Sequence, residues 1–298
     1  MESVSMSLIK SRRKYQYGAY LFILPVITFV TVFLLYPVLS NFYYAFTKYN
    51  GLSEPVWVGL DNFSKLIKDK SFLAAMKNSL TLALYLPLYV GLPLVFAAII
   101  RNNSKGSSFF RFTVLMPFVI SPVILAMTFE VILRDEGPLN TILRAIGAEA
   151  LALSWLAEPK IVIHIAALIT LYKYFGFCVI LLLAAMGKIS ETLFDSAKID
   201  GASAFQTFRS VTIPGTILAI EFVAVQGLIV YFARMFDLIF TLTQGGPGYA
   251  SFVPEFGVFH KAFMNNMFGY GSTWAVVIFL MTFVVIILQV NIMKRSGE

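Results

Sequence analysis

The chain has 298 residues, of which 58% are hydrophobic and 13% charged, with a net charge of +7. Soluble domains carry about a quarter charged residues, so this composition, with a mean hydropathy of +0.80, excludes an ordinary soluble domain and points to a polytopic membrane protein. The basic residues are dispersed or juxtamembrane, where they meet anionic lipid, and do not indicate nucleic acid.

A hydrocarbon core about 30 Å thick needs roughly 20 apolar residues per helical span. Six runs meet that length: 17–46, 72–100, 110–133, 160–186, 215–241 and 272–293. The runs are continuous and lack the alternation of barrel strands, so the expected fold is an all-α integral membrane protein with six transmembrane helices. Residues 1–16 form a basic tail, with Lys10, Arg12, Arg13 and Lys14 placing it in the cytoplasm. The first run follows that tail, is too long for a signal peptide and has no small-residue cleavage pattern. An even number of spans returns the C-terminus 294–298, with Lys294 and Arg295, to the same side. Arg101, Lys105 and Arg111 fall inside, and the acidic loop 134–160 falls outside. Lys48, Lys65, Lys68 and Lys70 lie outside against the trend; parity and the N-terminal tail outweigh them. Pro25, Pro37, Pro87, Gly91, Pro93, Pro117 and Pro122 mark kinks within the spans.

Between spans four and five lies a polar, ordered segment, 187–214. Leu193–Ile199 reads as one short helix. Asp200 and Gly201 make a turn that uses glycine's freedom, Ser203 or Asp200 caps a second helix through Phe208, and Pro214 starts the next span. Phe194, Phe205 and Phe208 either lie among lipid headgroups or fill a socket on a cytoplasmic partner.

The chemistry that is missing narrows the function. Two histidines, His164 and His260, make no His-based metal cluster, and the single Cys178 makes no intrachain disulfide. There is no GxxxxGK[ST], GxSxG or HExxH sequence, so ATP hydrolysis by this chain and a membrane-embedded hydrolase are both disfavoured. Charges inside spans cost several kcal/mol in lipid. Glu130, Lys173, Glu221, Arg234 and Asp237 therefore either line a polar path or pair, snorkel or bond a neighbouring subunit. Arg234 and Asp237 are expected to pair locally, and Glu130 and Lys173 to face each other across spans three and four. Span four carries Tyr172, Tyr174, Phe175 and Phe177; span five carries Phe222, Tyr231, Phe232 and Phe236. Such rings suit the C–H faces of sugars, or pack between helices and lipid.

The segment KISETLFDSAKIDGASAFQTFRSVTIP resembles the EAA loop of permease subunits in binding-protein-dependent ABC importers. Asp195-Ser196-Ala197 stands for Glu-Ala-Ala, followed by Asp200-Gly201-Ala202, Phe208 and Pro214; acid charge and small size are kept. VGLDNFSKLI (58–67), EGPLNTILRAIG (136–147), FDLIFTLTQGGPG (236–248) and the stretch 258–276 resemble the maltose-type and glycerol-phosphate-type sugar permeases, in the same order over 17–293. The resemblance implies a type I ABC importer (MetI-like, maltose-type) permease fold with a cytoplasmic coupling helix. It implies a multi-pass protein of a bacterial or archaeal cytoplasmic membrane that imports a carbohydrate, an oligosaccharide in the first instance. It also implies a second permease subunit, two ATPase subunits that use ATP and Mg, and an extracellular solute-binding protein, with no cofactor or metal on this non-catalytic chain. By the same resemblance Asp195, Ser196, Ala197, Asp200, Gly201, Ala202, Phe205 and Phe208 contact the ATPase. The substrate is implied to pass Thr170, Tyr174 and Phe177 of span four and Leu228, Tyr231, Phe232 and Met235 of span five, each set on one helical face. Two other readings stay open. One is a glycerol-phosphate or acidic-oligosaccharide permease, in which Lys173 and Arg234 neutralise the cargo. The other is an ion-coupled secondary transporter with Glu130 as proton carrier.

Overall fold

The computed structural model describes residues 21–102 and 107–296. The basic tail 1–16, the first residues of span one and Lys105 lie outside the described residues, as do positions 297 and 298 of the C-terminal tail.

Helix α1 (Leu21–Ala45) is apolar on every side, and none of its most hydrophobic stretch is buried within the chain. A helix of this kind takes lipid or another subunit as its solvent. A two-residue hairpin, β1 (Thr47–Lys48) with β2 (Val56–Trp57), and the short helix α2 (Asp61–Lys68) follow. Asn62 fixes this turn by donating its side-chain amide to the carbonyls of Ala45 and Thr47 at 3.0 and 2.8 Å.

Span two is α3 (Lys70–Ala83) continued by α4 (Leu86–Asn102). Asp69 caps it by accepting a hydrogen bond from the Ser71 amide at 2.8 Å. The run predicted as span three is two helices, α5 (Ser107–Val119) and α6 (Pro122–Ile132), bent by 94°. Helix α7 (Pro138–Ala145) sits in the loop that follows. Span four, α8 (Val162–Met186), is unbroken, and half of its apolar window is buried. It forms the centre of the molecule, with α4 along one side and α5 along another. Gly176 makes the second contact possible: a Cβ there would lie 1.8 Å from the Val114 carbonyl oxygen.

The polar segment holds α9 (Glu191–Ile199) and α10 (Ala204–Thr207), after which a wider helical turn (Phe208–Thr212) leads to Ile213–Gly215. The chain then bends by 76° into α11 (Ile217–Ala233). Pro214 thus ends the approach to span five, and the straight helix starts three residues later. The expectation of one helix to residue 241 also changes: α11 stops at Ala233, and α12 (Phe236–Leu242) begins a new axis that packs on α6. Helix α13 (Pro254–Phe259) and the turn His260–Met264 lead to the last span, α14 (Phe268–Ser296), which lies against α1, α11 and α13. Among the described residues, four helices are long and apolar enough to cross a membrane, or six when each bent pair counts as one.

Candidate coupling loop and translocation face

The coupling segment is built from three local devices. Ser190 caps α9 through the Thr192 amide. Gly201 then takes φ +73, a left-handed backbone that glycine adopts freely and most other residues resist. Ser203, not Asp200, caps α10: its hydroxyl accepts from the Gln206 amide while the Gln206 side chain accepts from the Ser203 amide. This reciprocal pair satisfies two amides that the helix itself leaves open.

Within this frame the eight predicted coupling residues are divided. Asp195, Ser196, Asp200, Gly201 and Phe205 are exposed; Ala197, Ala202 and Phe208 are half-buried. Asp195 is bonded to Lys198 at 3.2 Å. Leu193, Ile199 and Phe205 expose 54, 86 and 71% of their surface. Three large apolar residues are thus held outward on a charged loop, an exposed apolar patch of the kind that marks interaction sites. Phe194 takes neither role expected of it, because it is buried under the Arg101 guanidinium, 3.6 Å above its ring. Arg101 also holds Glu191 at 2.7 Å. Together these contacts lock the root of α9 to the C-terminal end of span two. A hollow of about 730 Å³ lies beside this joint, walled by Ile99, Met186, Phe205 and Phe208.

The predicted substrate face does not stay together. Thr170 and Met235 meet directly, with the Thr170 hydroxyl 3.3 Å from the Met235 sulfur, and Tyr174 borders the same small cleft. Tyr231 is fully buried and reaches the Ala167 carbonyl. Leu228 and Phe232 point elsewhere, into an apolar groove walled by span six residues such as Val277 and Leu280. Phe177 stacks on Phe118, ring centres 4.8 Å apart.

The intramembrane charges also differ from expectation. Glu130 does not face Lys173; it pairs with Arg134 one turn along at 2.8 Å. Lys173 instead donates to the carbonyls of Phe118 at 3.2 Å and Ile120 at 2.5 Å. Those carbonyls belong to the end of α5, where a helix leaves acceptors unfilled and a cation is favoured. Arg234 and Asp237 form no ion pair, because the helix breaks between them. The amides at the start of α12 are filled from 20 residues away: Glu255 accepts from Met235 at 2.7 Å and also from Phe236. Burial pushes the Glu255 carboxyl up to about 7. Neither Glu255 nor this capping role was assigned from sequence. The offset of 20 residues carries no periodic signal.

A second polar joint, at Asp69, ties the start of span two to the start of span six. Asp69 holds Lys261 at 2.9 Å and accepts from the Tyr270 hydroxyl at 2.9 Å. Burial pushes the Asp69 carboxyl up, but the bonds from Ser71, Lys261 and Tyr270 outweigh it and hold it at about 2.

A helical bundle with up to six membrane spans among the described residues, two of them bent, and a capped helix–turn–helix between spans four and five is the architecture of a multi-pass membrane protein. No protein-family model matches the chain. Relatives do match. The chain is 30% identical over 286 residues to the probable ABC transporter permease protein YurN of Bacillus subtilis, covering 94% of this chain and 97% of that one. It is 30% identical over 294 residues to the multiple sugar-binding transport system permease protein MsmF of Streptococcus mutans, covering 97 and 99%. The trehalose/maltose transport system permease protein MalF of Thermococcus litoralis is 29% identical over 295 residues. Among solved structures, a bacterial ABC transporter involved in the import of the acidic polysaccharide alginate superposes with a TM-score of 0.85 at 25% identity, covering 97% of this chain and 99% of that one. The chain belongs to the permease subunits of ABC transporters.

Proposed function

We propose that this chain is the membrane-spanning half of an ATP-driven importer for a carbohydrate, paired with a second permease. Two ATPase subunits bind below, and a solute-binding protein delivers the cargo from outside. The observation that carries this reading is the coupling segment. Two short helices, held at a fixed angle by Gly201 and by the Ser203–Gln206 capping box, present Leu193, Ile199 and Phe205 outward and largely exposed. Arg101, stacked on Phe194 and bonded to Glu191, ties this surface to span two, so a push on the loop reaches the bundle. When ATP draws the ATPases together, the loops follow and the packed spans turn as rigid bodies, which is alternating access. The sugar-handling relatives and the alginate importer support carbohydrate as the cargo class. The proton-carrier reading loses its motive, since Glu130 is held by Arg134.

The test uses the chain in its native membrane. A photo-crosslinking amino acid placed at Phe205 should join this chain to a nucleotide-binding subunit, and the same probe at Leu52 in the outer hairpin should not. Absence of any ATPase from both the adducts and the co-purifying proteins refutes the reading.

A further inference from the structure

Two membrane helices are interrupted, and the interruptions meet. The span-three pair breaks between Val119 and Pro122, and the span-five pair between Ala233 and Phe236. Pro122 from the first break and Arg234 and Met235 from the second line one cleft with Thr170, Lys173 and Tyr174 of α8. Irregular backbone at membrane depth is tolerated where it is buried in protein or lines a cavity. This chain fills most of the opened backbone itself. Lys173 serves the carbonyls of Phe118 and Ile120, and Glu255 serves the amides of Met235 and Phe236.

Arg234 remains. Its side chain makes no hydrogen bond or ion pair with any described residue, and it is exposed. It borders the cleft and also a neighbouring hollow of about 160 Å³ that holds Phe222 and Gln226. A guanidinium in a membrane span is costly unless it meets water or an anion. The acids around it do not neutralise it closely. Glu255 is engaged with backbone amides, although Arg234 also acts on its carboxyl across the break, and Asp237 is exposed and beyond ion-pair distance. Lys173, on the far wall of the cleft, has carbonyls but no carboxylate as partner. The cleft thus presents two cations, with Tyr174 beside them to cover the apolar face of a sugar.

We infer that the carried carbohydrate bears carboxylate groups, and that Arg234 grips one of them through its planar, two-pronged donor set while Lys173 supplies the second positive charge. The inference rests on the importer reading above and names its substrate class. Guanidinium is the group best matched to a carboxylate, since two parallel N–H donors meet its two oxygens. The cleft measures about 20 Å³ as it stands, less than a sugar ring, so the grip forms when the two breaks part.

The experiment uses the complete complex in proteoliposomes, with ATP inside and its binding protein outside. The probes are a labelled uronic acid trisaccharide and the same compound with its carboxyls reduced to alcohols. For each probe the ratio of wild-type to variant uptake cancels the delivery step. Arg234→Gln should lower ATP-driven uptake of the uronate roughly 10- to 100-fold and change uptake of the reduced compound far less. Arg234→Lys should fall between. ATP-driven uptake of the reduced compound alone by the wild type overturns the inference and leaves the importer reading standing. An equal fall for both probes in Arg234→Gln and Arg234→Lys also overturns it, and assigns Arg234 to a structural pair with the second permease. If neither probe nor a panel of neutral oligosaccharides is driven by ATP, both readings fall.

Discussion

Substitution of Gly176 by alanine tests the packing on which the broken span depends. A Cβ at 176 would sit 1.8 Å from the Val114 carbonyl oxygen, 2.4 Å from its carbon and 2.8 Å from the Leu115 Cα. Real Cβ atoms do not approach below 3.0 Å, so α5 and α8 must separate by at least the difference, 1.2 Å. The obstacles are backbone atoms, which no change of rotamer can clear. Overpacking of this kind costs about 1–3 kcal/mol. The displacement also reaches the span-three break, because Lys173 lies one turn before Gly176 and grips Phe118 and Ile120 one turn beyond Val114. Thermal unfolding of the purified complex should therefore show a lower midpoint for Gly176→Ala, and uptake should fall more than stability alone explains. Gly176→Ser should behave like Gly176→Ala, since the hydroxyl adds no relief at the Cβ. A Gly176→Ala complex with the wild-type midpoint and wild-type uptake refutes the close contact of α5 with α8.

Gly201 offers the contrasting case, with φ +73 and nothing within 4 Å of a built Cβ. Gly201→Trp should assemble in the membrane at normal levels yet lose most sugar-stimulated ATPase activity, whereas Gly201→Asn, which tolerates that backbone region, should keep it; full activity in the tryptophan variant contradicts the docking. At the Asp69 joint, Asp69→Asn should destabilise the complex by about 1–2 kcal/mol at neutral pH. The Asp69 carboxyl is held at about 2, below its ordinary 3.8, so its contribution is complete well above pH 4 and is lost progressively as pH falls from about 4 through 2. Melting curves from pH 8 down to pH 5 should accordingly show little loss from this group, with the loss setting in below about pH 4. Glu255 has the opposite sign. Its carboxyl, pushed up to about 7 from 4.5, favours the fold below pH 4.5 and loses that advantage as pH rises to 7. Glu255→Gln should flatten the fall in melting temperature between pH 5 and pH 8, and an unchanged pH profile would show that the carboxylate is not buried at the break.

How far the sequence speaks depends on the range of the interaction that decides each feature. Membrane class, the runs and the coupling turn rest on local physics: apolar length, a glycine free to take positive φ, and a serine three residues before a glutamine. The bend in span three had a local mark in Pro117 and Pro122, though not its size. The break at Arg234 had none. No proline or glycine stands between Ala233 and Phe236, and the opened amides are filled by Glu255, whose distance in sequence carries no pattern. Lys173 shows the same limit. Its charge was visible, but its partners are two backbone carbonyls, which every residue possesses, so only the fold could select Phe118 and Ile120.

The residues assigned to the substrate face divide between two neighbours for a geometric reason that the helix itself supplies. Successive residues turn by about 100°, so within α11 Leu228 and Phe232 lie about 60° and 100° round from Tyr231, while Met235 lies beyond the break at Ala233. One stripe by spacing is wide enough to touch two neighbours. Span four takes the Tyr231 edge, through Ala167 and Thr170, and span six takes the Leu228 edge. The faces of span five left over carry Phe222, Gln226 and Arg234. A transport path needs polar groups that the chain has not already spent on itself. By that criterion the importer reading proposed above favours the face bearing Arg234, since Gln226 is already bonded to the Tyr89 hydroxyl and Leu228 and Phe232 offer no polar group.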